Sequence, residues 1–201
     1  MIVTVSNQYG AGALAAARRA ADELGYRLVD QELPVVVAKR LHTSPEAVNA
    51  SEDPSRNLGE RLVSGLELGT PEISLTSGAQ PSFDRDCLRE VQLAVREFAS
   101  QGNVVIVGRG AHAILGRRDD VLRVFMHAPR DWRLHHIMDA LHVGHEVAAA
   151  EVERIDRARR AYLHDYYQIE WGDPKYFDLC IDTAHFGVEG SARLIVVAAN
   201  A

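Results

Sequence analysis

A β-branched run, Ile2-Val3-Thr4-Val5, passes through Ser6-Asn7-Gln8-Tyr9 into Gly10-Ala11-Gly12 and then directly into an alanine-rich segment. A strand that becomes a helix within so few residues needs backbone freedom at the bend, and Gly10 and Gly12 supply it. The same bend gathers the free amides and the positive end of the helix at one point, where an anion is favoured. This junction commits the chain to an α/β architecture. It also marks Gly10, Ala11, Gly12, Ala13 and Leu14 as a phosphate-binding turn. A complete loop of this kind reads G-x-x-x-x-G-K-[S/T], with a lysine for the outer phosphates and a hydroxyl for Mg²⁺. Here Ala13 stands in the lysine position, and Leu14 and Ala15 offer no hydroxyl. The turn is a degenerate Walker A loop. A strand-to-helix bend with no ligand is the competing reading.

The rest of the chain alternates strand and helix signals. Leu14, Ala17, Ala21 and Leu24 recur at helical spacing, and Gly25 ends that helix. A short strand over 26–29 should end at Asp30. Pro34 is expected to open a helix to Leu41, and Thr43-Ser44-Pro45-Glu46 to start another. Within 51–82, a helix near 57–66 and loops at 69–71 and 77–81 are expected. Leu88, Val91, Val95 and Phe98 then share one helical face, which stops at Gly102-Asn103. Val104-Val105-Ile106-Val107 has the composition of a strand buried on both faces. It ends at Gly108-Arg109-Gly110, before a helix over 111–115. Further strands are expected over 121–126 and 176–182, and helices over 131–141, 146–167 and 188–199. The pattern predicts a three-layer α/β domain, a five-stranded parallel sheet with helices on both faces. Right-handed crossovers place the strand C-termini on one edge. The glycine turn, Asp30 and Arg109 should meet there.

Composition removes several function classes. A chain of 201 residues is one ordinary domain. A formal charge of −6 gives no general attraction to nucleic acid or to an anionic membrane. An anionic ligand therefore needs a local cationic pocket. Cys87 and Cys180 lack metal-ligand spacing, and no disulfide framework is expected. His135, His136, His142 and His145 have no carboxylate-rich pattern around them, so no metal site is expected. Without a membrane-length apolar run or a leader-like start, a cytoplasmic protein is the expectation.

Two groups of cations answer the need for a pocket. Arg109 follows the buried third strand, and an arginine can grip phosphate with two parallel hydrogen bonds. Arg154-Ile155-Asp156-Arg157-Ala158-Arg159-Arg160 carries four arginines over two helical turns. Asp156 and Arg160 are spaced i,i+4, so a solvated, salt-bridged helix is the competing account of that stretch. Tyr162, Tyr166 and Tyr167 are expected to pack that helix against the domain.

Taken together, the chain resembles the cytidylate kinase-like family of P-loop phosphotransferases, within the nucleoside monophosphate kinase fold. The likeness rests on Val5-Ser6-Asn7-Gln8-Tyr9-Gly10-Ala11-Gly12, on Leu24-Gly25-Tyr26-Arg27-Leu28-Val29-Asp30-Gln31-Glu32-Leu33 and on Val105-Ile106-Val107-Gly108-Arg109-Gly110. Phe125-Met126-His127-Ala128-Pro129 with Arg133 adds to it. So do Asp156-Arg157-Ala158-Arg159-Arg160-Ala161-Tyr162, Trp171-Gly172-Asp173-Pro174 and Asp178-Leu179-Cys180-Ile181-Asp182-Thr183. The resemblance implies a single P-loop kinase-like domain over 1–201, with an acceptor-binding helical region near 31–102 and a helical lid near 130–170. It implies transfer of the ATP γ-phosphoryl to a small acceptor, a nucleoside monophosphate such as CMP. Gly10 to Leu14 would hold donor phosphates, and Asp30 and Arg109 the acceptor. Asp156, Arg159 and Arg160 would be catalytic, and Arg133, Arg154 and Arg157 would belong to the lid. Mg²⁺ would arrive with ATP, held by phosphate oxygens and water. A homodimer is compatible with this reading. The chain departs from the family's usual Gly-Ser-Gly-Gly-Arg-Glu after Gln-Tyr, has Asn7 for a more usual arginine, and has Gly110 where cytidylate kinases carry an aspartate. The second function class is therefore a nucleotide-sensing or interaction protein on the same fold, without turnover.

Overall fold

The computed structural model describes residues 1–51 and 81–201. The helix expected near 57–66 and the loops at 69–71 and 77–80 lie outside the described residues. Pro81, expected in a loop, instead starts a helix.

Five parallel strands form one sheet: β1 (Ile2–Asn7), β2 (Arg27–Val29), β3 (Val104–Val107), β4 (Val121–His127) and β5 (Leu179–Asp182), in the order β2-β3-β1-β4-β5. The opening strand is central because its residues are apolar on both faces. Val3 and Val5 point to a layer formed by α1 (Ala13–Leu24) and α8 (Thr183–Ala199), where Ala16, Ala17, Ala20 and Ile195 are buried. Alanines leave α1 almost no side-chain bulk on that face, so it lies close to sheet and partner helix. On the other face, Ile2, Val104 and Ile106 pack with Leu33 and Val37 of α2 (Glu32–Arg40), Val48 of α3 (Pro45–Ser51) and Val91 and Val95 of α4 (Pro81–Ser100). The short α5 (Ala111–Leu115) closes that layer. Val5 is in register with Val107, where β3 ends, and with Val124, while β1 and β4 run on side by side to Asn7 and Met126.

A third, smaller core lies beyond the strand ends. Leu134 and Ile137 of α6 (Arg130–Leu141) pack with Ala148 and Val152 of α7 (His145–Tyr167), and Tyr9 lies against them. The helices α6 and α7 thus carry their own apolar seam, and it rests on the glycine turn.

Three boundaries differ from expectation. Pro34 is the third residue of α2 rather than its opener, and in a first turn its missing N–H breaks no helical bond. The last strand begins at Leu179, because Pro174–Tyr176 forms a 3-10 turn capped by Asp173, whose carboxylate accepts from Lys175 N–H at 3.1 Å. The last helix begins at Thr183, since Asp182 caps it by accepting from Ala184 N–H at 3.0 Å, and Gly187 (φ 66°, ψ 177°) interrupts its helical geometry.

Candidate active site

The turn after β1 is shaped by what presses on it. Gly10 has φ +81°, and a Cβ there would lie 3.0 Å from the Arg133 carbonyl oxygen and 3.1 Å from Ile137 Cγ1. Only glycine fits between this turn and α6. Gly12 is also left-handed (φ 70°) and forms the N-cap of α1. The first-turn amides of α1 have no acceptor within the helix. Ala13, at the lysine position of a complete loop, is 2% exposed and packs into the core, whereas Leu14 is exposed.

Charged side chains from α6 and α7 brace the backbone of the turn. Arg133 donates from its guanidinium to Asp156 Oδ2 at 2.7 Å, to the Tyr9 carbonyl at 2.9 Å and to the Ala128 carbonyl at 3.2 Å. Asp156 Oδ1 accepts from Tyr9 N–H at 2.9 Å. Arg159 donates to the Asn7 carbonyl at 2.6 Å and lies over the Tyr9 ring. Gln8 completes the frame, its Oε1 accepting from Ala128 N–H at 3.2 Å. The fold thus brings Arg133, expected in a lid, together with Asp156 and Arg159, expected to be catalytic, on the backbone of Asn7 and Tyr9.

Beside the turn lies a cavity of about 320 Å³ lined by Ser6, Asp30, Asn49, Arg109, Arg154 and Arg159 among others. Arg109 sits at φ +57° between Gly108 (+75°) and Gly110 (+65°), three left-handed residues in succession. Such a conformation is uncommon for a side-chain-bearing residue, and here it turns the chain sharply off β3. Arg109 donates to Asn49 Oδ1 at 2.7 Å. Burial raises the Asp30 carboxyl above the ordinary range, while the nearby charges of Arg109 and Arg18 pull it back. A Cβ on Gly110 would lie 3.1 Å from Tyr167 and 3.2 Å from Tyr162. Any side chain at position 110 would therefore meet the tyrosines of α7.

The arginines of α6 and α7 do not share one space. Arg154 and Arg159 line the cavity at Arg109, which is larger than the one of about 230 Å³ lined by Arg133, Arg157 and Arg160 together with Asp156, Glu153 and Arg130. Arg160 also borders a further space with Gln8, His127 and Trp171. Arg154 is paired with Glu151, and Arg157 with Glu153. Arg160 lies over the Trp171 ring, 5.6 Å from its centroid. Gly10 to Leu14 do not line the larger cavity; Ser6 and Asn7, just before them, do. Among the described residues no cluster of His, Cys, Asp and Glu could hold a metal ion. No described helix is long and apolar enough to cross a membrane.

Three residues of this region escape sequence reasoning. Asn49 carries no local signal. Ser6 reads only as part of the turn after the first strand, with no role of its own, whereas the structure places it within β1. His112 is the one polar residue of Ala111–Leu115, and that interruption of an apolar helix was the available clue.

A model of the cytidylate kinase-like family matches residues 2–185. The chain is 23% identical over 201 residues to the cytidylate kinase of Halobacterium salinarum, covering 100% of this chain and 90% of that protein. In shape it is similar to an uncharacterized protein from Eubacterium ventriosum, with TM-score 0.72 at 19% identity, covering 100% and 99% of the two chains. It is also similar to the shikimate kinase of Bacteroides thetaiotaomicron, with TM-score 0.53 at 14% identity and the same coverage. At these identities the two structures speak for the fold.

Proposed function

Because the chain belongs to the cytidylate kinase-like family, we propose that it is a kinase that transfers the ATP γ-phosphoryl to a nucleoside monophosphate, CMP or a close relative. The observation that carries this reading is the larger cavity. Arg109 from the end of β3 and Arg154 and Arg159 from α7 reach one space of about 320 Å³ beside the glycine turn, with Asp30 on its wall. In a chain of charge −6, cations collected around one cavity are a specific provision for an anion.

The turn suits a polyphosphate. Gly10 and Gly12 remove the side chains that would fill it, and the first turn of α1 offers amides and the positive end of a helix. Gly10, Ala11, Gly12, Ala13 and Leu14 would hold the donor phosphates through backbone N–H groups. When bound, Mg²⁺·ATP supplies the transferable phosphoryl group and a divalent charge; its metal ligands would be phosphate oxygens and water, because positions 14 and 15 lack a hydroxyl. Arg109 grips the acceptor phosphate, and Asp30 accepts from a sugar or base donor. Arg159, tied to the Asn7 carbonyl, stands at the boundary between turn and cavity and neutralises charge there. Arg154, Arg157 and Arg160 add cations as α7 closes, which contributes the positioning and charge stabilisation on which phosphoryl transfer depends. Arg133 and Asp156 keep the turn in shape. A cytoplasmic location and a soluble nucleotide partner go with this reading.

A second reading is a nucleotide sensor without turnover, favoured by Ala13, whose methyl is buried where a lysine would reach the phosphates. Thermal shift with ATP, CMP and Mg²⁺, followed by measurement of ADP release, separates the two. ADP formed in proportion to CMP supports the kinase. Binding with no ADP release rejects it in favour of the sensor.

A further inference from the structure

Ser6 and His112 form a pair that this mechanism leaves without a role. Ser6 Oγ and His112 Nδ1 are 2.9 Å apart, and the two residues are 7% and 3% exposed. Ser6 lines the larger cavity, whereas His112 sits behind it on α5. The imidazole is held by Phe177, whose ring centroid is 4.8 Å away, and its Nε2 is buried with no hydrogen-bond partner. Arg123, fixed to Asp178 at 2.7 and 3.0 Å, adds positive charge to the same enclosure. Burial first, and then Arg123, push the His112 pKa down to about 4, so the ring is neutral at physiological pH.

A neutral imidazole has one N–H and one lone pair. With the proton on Nε2, a buried donor would face no acceptor, close to a guanidinium. With the proton on Nδ1, the donor is satisfied by Ser6 Oγ, and Nε2 presents a lone pair that the positive neighbour stabilises. The second arrangement avoids stranding a donor, which is the costlier failure in a dry enclosure. Ser6 Oγ then accepts from His112, and its own hydroxyl hydrogen is free to turn toward the cavity.

We propose that Ser6 donates this hydrogen to a phosphate oxygen of the acceptor bound in the larger cavity, and that His112 is a positioning residue that fixes the direction of the bond. The inference rests on reading the cavity as the acceptor site. It deepens that reading, because the opposite tautomer would present serine lone pairs to the anion and repel it. Ser6 supplies what the arginines do not: an uncharged donor anchored to the central strand, with no long side chain to order on binding.

The full chain tests this in two ways. Nitrogen-15 NMR of the ligand-free protein should show His112 protonated at Nδ1 and bare at Nε2; the reverse tautomer overturns the proposal. Calorimetric titrations with inorganic phosphate and, separately, with CMP should show Ser6→Ala weakening both by about tenfold or more, the scale of a hydrogen bond to a charged group. His112→Phe keeps an aromatic ring against Phe177 and should lose a similar factor. His112→Asn, which places an amide N–H near Nδ1, should recover most of it. Wild-type affinity for phosphate in Ser6→Ala, or no phosphate binding by the wild type, overturns the proposal. Ser6-dependent binding of phosphate without any affinity for CMP would uphold it while rejecting the nucleotide reading.

Discussion

Arg133 of α6 and Asp156 of α7 meet at 2.7 Å, with side chains 8% and 13% exposed, and the same two residues hold the carbonyl and the amide of Tyr9. One ion pair therefore joins α6 and α7 to the glycine turn. An isolated charge at either position would be costly, and here each is compensated by the other and by the peptide groups of Tyr9. The position of α7 and the shape of the turn are tied through this pair.

Removing one partner leaves the other charge nearly buried. Asp156→Asn is expected to cost about 3 kcal/mol, the lower end for breaking a buried pair. Urea denaturation measures it, and a loss below about 1 kcal/mol would show that the pair does not hold the lid to the turn.

Gly10 and Gly12 are both left-handed, yet only Gly10 is crowded, with a Cβ meeting the Arg133 carbonyl at 3.0 Å against 3.5 Å to the nearest atom for Gly12. Gly12→Ala should cost only the backbone strain, about 1 kcal/mol. Gly10→Ala should cost clearly more and weaken nucleotide binding, because α6 must shift. Equal melting temperatures for the two variants would contradict this account.

Arg109 offers a planar fork in a fixed, left-handed backbone position and is steadied by Asn49. Arg109→Ala should weaken CMP binding by about tenfold or more, and Arg109→Lys should restore little of it, since an ammonium cannot bind two phosphate oxygens in parallel. Asn49→Ala should have a smaller effect in the same calorimetric titration. Full rescue by lysine would reduce Arg109 to a point charge.

His112 lowers stability in acid. Its pKa falls from an ordinary 6.5 to about 4 on folding, so between those values the unfolded chain binds a proton that the folded chain refuses. Stability contributed by this group is complete above about pH 6.5 and declines as the pH falls toward 4, by about 3 kcal/mol in total. His112→Phe should flatten that part of the pH–stability curve. A slope that persists in the variant would locate the proton uptake elsewhere.

Asp30 works in the opposite sense. Burial raises its carboxyl pKa, so at neutral pH folding must accommodate a carboxylate in a half-buried place, and stability is gained as the pH falls through that raised value. Asp30→Asn should therefore raise the melting temperature at pH 7 while weakening CMP binding. A variant less stable than wild type at pH 7 would show that Asp30 is held by partners stronger than its burial.

Much of the frame could be read from the chain. Val104–Val107 had the composition of a strand buried on both faces, and it is one. The helix read from Leu14, Ala17, Ala21 and Leu24 forms over Ala13–Leu24, but its buried face is Ala13, Ala16, Ala17, Ala20 and Ala21, and Leu14 is exposed. Because crossover handedness sets the strand ends on one edge, the glycine turn, Asp30 and Arg109 were expected to meet. Asp30 and Arg109 line one cavity, whereas Gly10 to Leu14 do not line it and Ser6 and Asn7 do. The boundaries at Leu179 and Thr183 were not legible, since each depends on the capping carboxylate that the folded chain sets at a turn or helix start, Asp173 and Asp182.

The amino-acid order alone determined the alternation of elements, the parallel sheet and the glycine bend after the first strand, because these follow from local periodicity and from glycine at two positions. Only the tertiary structure decided how the arginines are shared. It set Arg133 against Asp156 and the Tyr9 backbone, sent Arg154 and Arg159 to one cavity and Arg157 to another, left Arg160 between that one and the space at Trp171, and placed His112 behind a serine 106 residues away in sequence. Those outcomes depend on helix rotation and on contacts across the sheet, where charge, burial and unpaired donors are balanced between segments that carry no local record of one another.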